Sequence, residues 1–138
     1  MTRILIIEDD PQREARLRSW LPADIHAVVA TSAGKAIGII SRDCGSVYAG
    51  IVLDFDLQLR RAAASELHLC GHDVVLAIIE HISRDTQILV HSENTSQSPL
   101  MVRSLRQAGF DVTQIPMHLL TVDSFSAWLA EVGTNQPE

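Results

Sequence analysis

Acidic side chains follow two short apolar runs of the sequence, where they could take part in chemistry. Asp54 ends an apolar run that begins after Gly50, and Asp56 follows two positions later. Glu8 and Asp9 end another apolar run near the N-terminus. Short apolar runs bounded by turn residues are typical of buried strands in parallel sheets. Ligands bind at the carboxyl ends of such strands, so we expect these carboxylates at a functional edge.

Three of these carboxylates, Glu8, Asp9 and Asp54, would converge if the first and third strands are neighbours. Like charges raise each other's pKa, so a shared site would need a counter-cation. Hard oxygen ligands with room for water suit Mg²⁺. We therefore predict a divalent cation, Mg²⁺ or Mn²⁺, as the cofactor, and a solvated acidic turn is the alternative interpretation.

A histidine and a serine, His91 and Ser92, end a third apolar run. An imidazole with an unperturbed pKa of about 6.5 can exchange protons at neutral pH. His91 is therefore a candidate catalytic acid–base residue or a metal-site histidine. The alternative is a strand-terminal residue that packs under the following loop.

The elements that would position these residues are apolar runs that alternate with helical segments. The predicted strands are Arg3–Ile7, Asp24–Ala30, Tyr48–Asp54, Thr86–His91 and Phe110–Ile115. The predicted helices cover about residues 11–20, 33–44, 71–83, 99–108 and 123–132. Regular alternation implies a parallel sheet with helices on both faces. The predicted fold class is α/β, a doubly wound five-stranded parallel sheet in a three-layer sandwich.

The chain of 138 residues is long enough to bury one core. We expect a single domain over residues 1–132, followed by a frayed tail at 133–138. Residues 55–70 interrupt the alternating pattern as an inserted loop, which holds Arg60 and Arg61. A loop of that length inside a compact domain is often functional.

Composition excludes several classes of function. The net charge of −6 argues against general binding of nucleic acid or of anionic membranes. No apolar run reaches the length needed to cross a membrane, and the N-terminus lacks the pattern of a secretory signal. We therefore expect a cytoplasmic protein. The sequence does not indicate an oligomeric state.

Four motifs of the chain resemble those of the receiver domain of two-component response regulators. They are Ile-Leu-Ile-Ile-Glu-Asp-Asp-Pro at 4–11, Val-Leu-Asp-Phe-Asp-Leu at 52–57, Ile-Leu-Val-His-Ser at 88–92 and Ile-Pro at 115–116. The resemblance implies a regulatory domain whose partner is a sensor histidine kinase or another signalling protein. It also implies that a carboxylate attacks a phosphohistidine and becomes phosphorylated.

The same resemblance implies roles for individual residues. Glu8 and Asp9 would hold Mg²⁺, with the backbone carbonyl of Asp56 as a further ligand. Asp54 would accept the phosphoryl group, and the hydroxyl of Ser92 would contact that group. A hydroxyl that only caps the loop is the alternative for Ser92.

The chain departs from the receiver pattern at Ile115, where the family has a lysine. The only lysine of the chain is Lys35, which is expected on the second helix, away from this edge. Arg60 or Arg61 could supply the missing cation instead. An arginine fork is not a simple replacement for the point charge of an ammonium group.

Three short stretches, at 54–57, 71–73 and 91–94, resemble a divergent receiver branch that processes cyclic phosphates. That branch also lacks the lysine. The resemblance implies a cyclic phosphate as a second type of ligand. It rests on short motifs, whereas the resemblance to receivers in general covers nearly the whole chain.

Three functions are therefore carried forward, in this order. The first is an atypical stand-alone receiver, a Mg²⁺-dependent phosphoacceptor at Asp54 that acts through a partner surface. The second is a metal-dependent phosphoesterase that opens cyclic phosphates, with His91 as acid–base. The third is a binding module that keeps the fold and has lost phosphotransfer. Ile115 favours the second and third functions, and the intact acids disfavour the third.

Overall fold

Strands and helices alternate along the part of the chain that the structure describes. The computed structural model describes residues 2–54, 71–92 and 98–134. The strands are β1 (Thr2–Ile7), β2 (Ile25–Ala30), β3 (Gly50–Asp54), β4 (Gln87–Ser92) and β5 (Val112–Pro116). The helices are α1 (Pro11–Ser19), α2 (Ala33–Arg42), α3 (Gly71–His81), α4 (Ser98–Gln107) and α5 (Val122–Thr134), and a 3-10 helix covers Met117–Leu119. In these ranges no helix is both long enough and apolar enough to cross a membrane.

The strands form one parallel sheet in the order β2-β1-β3-β4-β5. The chain first moves outward from β1 to β2 and then returns past β1 to β3, so the direction of winding changes between β1 and β3. Ligands bind outside the carboxyl ends of strands at such a switch point. The topology therefore brings the acids after β1 and at the end of β3 to the position where a site is expected.

Two apolar layers enclose the sheet. Alternate strand residues point to opposite faces. On one face, side chains such as Leu5 and Leu53 pack against α2, α3 and α4. On the other face, Ile6 and Val52 pack with residues of α1 and α5, among them Phe125. Helices on both faces confirm the doubly wound α/β prediction.

The start of α1 is fixed directly after β1. The Asp10 side chain is the N-cap, and its Oδ1 accepts the backbone N–H of Gln12 at 2.9 Å. Pro11 occupies the first helical position, where its missing N–H leaves no partner unsatisfied. The first turn of α1 therefore begins at the carboxyl edge of the sheet, beside the acids.

The element bounds agree with the predicted bounds to within two residues. The helix α5 continues to Thr134, beyond the expected start of the tail. The 3-10 helix after β5 was not predicted. The loop at 55–70 and residues 135–138 lie outside the described residues. The single-domain boundary of 1–132 and its frayed tail therefore stay predictions.

Candidate functional site

One row of side chains crosses the carboxyl edge of the sheet, formed by Glu8, Asp54, His91 and Ile115. We call these four residues the edge row. Asp54 pairs with His91 across β3 and β4, and His91 pairs with Ile115 across β4 and β5. Glu8 directly follows β1, so the same register continues to Glu8 beside Asp54. Residues paired in a parallel sheet share a face, here the face covered by α1 and α5.

Three members of the edge row are close enough to bind one metal ion. One ligand atom from each of Glu8, Asp54 and His91 lies within 4.8 Å of the others. The Nε2 atom of His91 is 3.8 Å from Oε1 of Glu8. All three side chains are buried. Carboxyl groups that are buried this completely are paired with charges, bind a cation or take up a proton.

Burial raises the pKa of Glu8 above its ordinary value. A hydrogen bond with Asp54 and the positive charge of Arg13 act in the opposite direction, as does the backbone N–H of Asp10, which donates to Oε2 at 3.2 Å. The Oε1 atom of Glu8 is buried and makes no hydrogen bond among the described residues. A cation beside this oxygen would favour the ionised carboxylate.

The donor set fits a divalent cation that accepts both oxygen and nitrogen ligands. Two carboxylates and one imidazole suit Mn²⁺ better than Mg²⁺, because Mg²⁺ prefers carboxylates and water. Asp9 is partly buried and has one buried carboxylate oxygen, but it is not among the three groups within 4.8 Å. The structure thus brings together the predicted residues Glu8 and Asp54 with His91, and it leaves Asp9 at the border.

Of the other candidate residues, the structure describes one in part and three not at all. Asp56 lies outside the described residues, as do Arg60 and Arg61. Ser92 ends β4, and its backbone pairs with Pro116, while its side chain belongs to the part that the structure does not describe. The metal role of Asp56 and the catalytic role of Ser92 stay predictions.

Arg13 reaches the site from α1 and was not predicted. Its Nη1 is 4.0 Å from Oδ2 of Asp54, and its Nε is 3.6 Å from Oδ2 of Asp10. The guanidinium side chain is 18 % exposed, whereas Asp54 is 0 % exposed. The sequence contained a signal for this contact, because an arginine in the first turn after an N-cap at the functional edge lies within reach of that edge.

Lys35 lies on the second helix, as the sequence predicts. The Nζ atom of Lys35 donates to Oγ1 of Thr31 at 3.2 Å, directly after β2. The end of β2 adjoins the site, since Ala30 accepts the backbone N–H of Glu8 at 3.0 Å. The helix α2 packs on the face opposite to α1, and the separation of Lys35 from the edge row stays a prediction.

A small cavity lies between the edge row and α1. The centre of a water molecule can occupy a volume of about 10 Å³ in this cavity. The surrounding residues include Glu8, Arg13, Arg16 and His91. That space holds about one water, so it does not admit a larger ligand. A larger groove of about 400 Å³ lies at the other edge of the sheet, near Thr2, where β1 begins.

Solved structures of receiver domains share this fold. The receiver domain of the Francisella response regulator 1452 matches with a TM-score of 0.68 at 15 % identity, over 99 % of this chain and 100 % of that one. A sensor protein from Polaromonas sp. JS666 matches with a TM-score of 0.68 at 22 % identity, over 98 % of each chain. The response regulator domain of Thermotoga maritima CheB gives 0.64 at 15 % identity, over 99 % of each chain. Identities this low establish the fold alone.

The sequence itself identifies the family. A search of curated proteins gave no significant match. A family model described as a cyclic-phosphate processing receiver domain matches residues 3–107 of the 138, which is more than half of the chain. The matched range contains Glu8, Asp54 and His91 and ends with α4. The resemblance to receivers is therefore confirmed, and the chain belongs to the family of cyclic-phosphate processing receiver domains.

Proposed function

We propose that this domain binds a divalent cation at Glu8, Asp54 and His91 and opens a cyclic phosphate bound beside it. The observation that carries the proposal is the position of His91, whose imidazole lies in one buried row with two carboxylates. The edge row then ends in the apolar Ile115, where the receiver resemblance implies a lysine. The family description, cyclic-phosphate processing, supports the same function.

Three residues of the edge row would act as metal ligands. Glu8 and Asp54 would hold Mn²⁺ or Mg²⁺ as carboxylates, and His91 would hold it through a neutral imidazole nitrogen. A cation bound there supplies Lewis-acid polarisation of the phosphate oxygens. Asp9, at the border of the site, would orient water on the cation. The acid–base role of His91 remains a separate prediction.

Opening a cyclic phosphate consumes one water molecule. The water oxygen forms a bond to phosphorus, one P–O bond of the ring breaks, and the released ring oxygen takes up a proton. The product is a phosphate monoester with a free hydroxyl on the same molecule. Because Glu8, Asp54 and His91 are buried, only the phosphate end of a substrate would reach them, which suits terminal groups such as 2′,3′-cyclic nucleotides and cyclic-phosphate RNA ends.

The test is incubation of these substrates with the protein and Mn²⁺ or Mg²⁺. The native protein should release the monoester, and Asp54→Asn and His91→Gln should each lose activity by a factor of about a hundred or more. His26→Gln is the matched control, because His26 is an exposed histidine of β2 that pairs with Arg3, at the end of the sheet away from the site. Failure of the native protein to open any of these substrates would overturn the proposal.

A further measurement separates the two roles of His91. If the imidazole is a metal ligand, excess Mn²⁺ should restore part of the activity of His91→Gln. If it is the acid–base residue, excess metal should restore nothing, and the variant should lose one limb of the pH–rate profile.

A second candidate function is phosphotransfer to Asp54. It is favoured by the position of Asp54 at the end of β3, at the switch point of the sheet. The donor would be a sensor histidine kinase or another signalling protein of the cytoplasm, with Mg²⁺ held by Glu8 and Asp9. Radiolabelled acetyl phosphate should then label the native protein and leave Asp54→Asn unlabelled.

A further inference from the structure

We infer that Arg13 is the residue that binds phosphate in this site, in place of the lysine that is absent at position 115. The inference rests on the proposed function only for the presence of a phosphate beside Asp54. It assigns to Arg13 a direct contact with the phosphate oxygens, and to Asp10 the positioning of that guanidinium.

The first argument is the location of the guanidinium. Nη1 of Arg13 is 4.0 Å from Oδ2 of Asp54, and the side chain is partly exposed whereas Asp54 is not. Arg13 also borders the small cavity that contains Glu8 and His91 on its wall. A phosphate beside Oδ2 of Asp54 would therefore lie within reach of the Arg13 side chain.

The second argument is that the guanidinium is already oriented. Oδ1 of Asp10 accepts the backbone N–H of Arg13 at 3.4 Å, while Oδ2 of Asp10 is 3.6 Å from Nε of the same residue. One carboxylate thus caps α1 and also attracts the side chain of Arg13. An arginine whose conformation is fixed in advance loses less entropy when it binds a ligand.

The third argument is electrostatic. A phosphate in this site faces the carboxylates of Glu8, Asp9 and Asp54, and a single divalent cation does not neutralise all of these charges together with the phosphate. The planar guanidinium donates two parallel hydrogen bonds to phosphate oxygens. Arg13 therefore supplies both the charge and the geometry that a site with Ile115 lacks.

Two other cations near this edge are less suited to the role. Lys35 is exposed, donates to Thr31 and lies on a helix of the opposite face. Arg16 borders the same cavity but is exposed. Farther along α1, Arg18 pairs with Glu14 at 2.7 Å and is 59 % exposed, which makes it a matched control on the same helix.

The experiment measures the binding of uridine 3′-monophosphate by calorimetry, in the presence of saturating Mn²⁺, with Mn²⁺ affinity measured separately. Arg13→Ala should weaken monophosphate binding at least about tenfold, the effect of losing charged hydrogen bonds. Arg13→Lys should retain part of the affinity. Asp10→Asn keeps an N-cap but removes the charge. Its monophosphate affinity should lie between those of Arg13→Ala and Arg13→Lys. Arg18→Ala should bind the monophosphate as the native protein does. Mn²⁺ affinity should not fall in Arg13→Ala, because removal of a positive charge beside Glu8 and Asp54 favours the cation.

The inference is overturned if Arg13→Ala binds the monophosphate as tightly as the native protein. It is equally overturned if Lys35→Ala, and not Arg13→Ala, weakens binding, or if the native protein binds Mn²⁺ but no monophosphate. Activity gives an independent outcome. Arg13-dependent binding without any opening of cyclic phosphates would contradict the proposed function and leave the role of Arg13 intact.

Discussion

The Nε2 atom of His91 lies 3.8 Å from Oε1 of Glu8, although β3 separates the strands that carry the two residues. Asp54 occupies the end of that middle strand and lies within the same group. The receiver resemblance implies an acidic pocket, and His91 adds a nitrogen donor to it. The choice of metal should therefore depend on His91, because imidazole favours Mn²⁺ over Mg²⁺.

Binding of Mn²⁺ should raise the melting temperature, because a ligand that binds only the folded state stabilises it. At a hundredfold excess over Kd the gain is about 2.7 kcal/mol. His91→Gln should reduce the gain with Mn²⁺ more than the gain with Mg²⁺, and Asp54→Ala should abolish both. Differential scanning calorimetry with and without each metal measures these shifts. Equal melting temperatures of the native protein with and without metal would contradict the assignment of this site.

The fold could be predicted because each local signal agreed with the others. Apolar runs of strand length alternate with helical segments, and Asp10 and Ser32 mark the starts of α1 and α2. Both faces of the strands are buried, as the continuous apolar runs predict. The 3-10 helix after Pro116 was missed, since three residues carry too little periodicity to reveal it.

The site could be predicted only in part, because its geometry depends on register. The sequence placed both His91 and Ser92 at the end of a strand, and pairing with Asp54 decides that His91 is the one in the edge row. Arg13 and Lys35 depend on where α1 and α2 begin relative to the sheet. Apolar runs alone do not encode that relationship, so Arg13 was missed.

Gly50→Ala should destabilise the protein by about 1–3 kcal/mol, the usual range for overpacking a core. An added Cβ would lie 2.8 Å from Cη2 of the buried Trp128 and 3.2 Å from Val132. Gly38→Ala is the matched control, because nothing lies within 4 Å of its added Cβ. Because Gly38 lies in the helix α2, Gly38→Ala should stabilise the protein by up to about 1 kcal/mol. Urea unfolding measures both, and equal effects of the two substitutions would refute the close contact at Gly50.

The ion pair of Asp43 should make stability depend on pH at the acidic end. Arg42 and the Tyr48 hydroxyl, which donates to Oδ2 at 2.7 Å, lower the pKa of Asp43 to about 2. The folded pKa lies below the ordinary value of 3.8, so the contribution is complete above that value and is lost as pH falls towards 2. The difference in unfolding free energy between the native protein and Asp43→Asn should shrink over this window. A difference that stays constant from pH 7 to pH 2 would exclude this contribution.

Ile115→Lys should restore a response to beryllofluoride, a phosphoryl mimic, in the presence of Mg²⁺. Ile115 pairs with His91 and is partly buried, so the new ammonium would join the edge row near Asp54. We expect about tenfold tighter binding than in the native protein, the gain of one charged hydrogen bond, measured by tryptophan fluorescence. Gln114→Lys adds the same charge one residue earlier, where strand alternation turns it to the opposite face. Equal gains from both lysines would show that net charge, and not position in the edge row, governs binding.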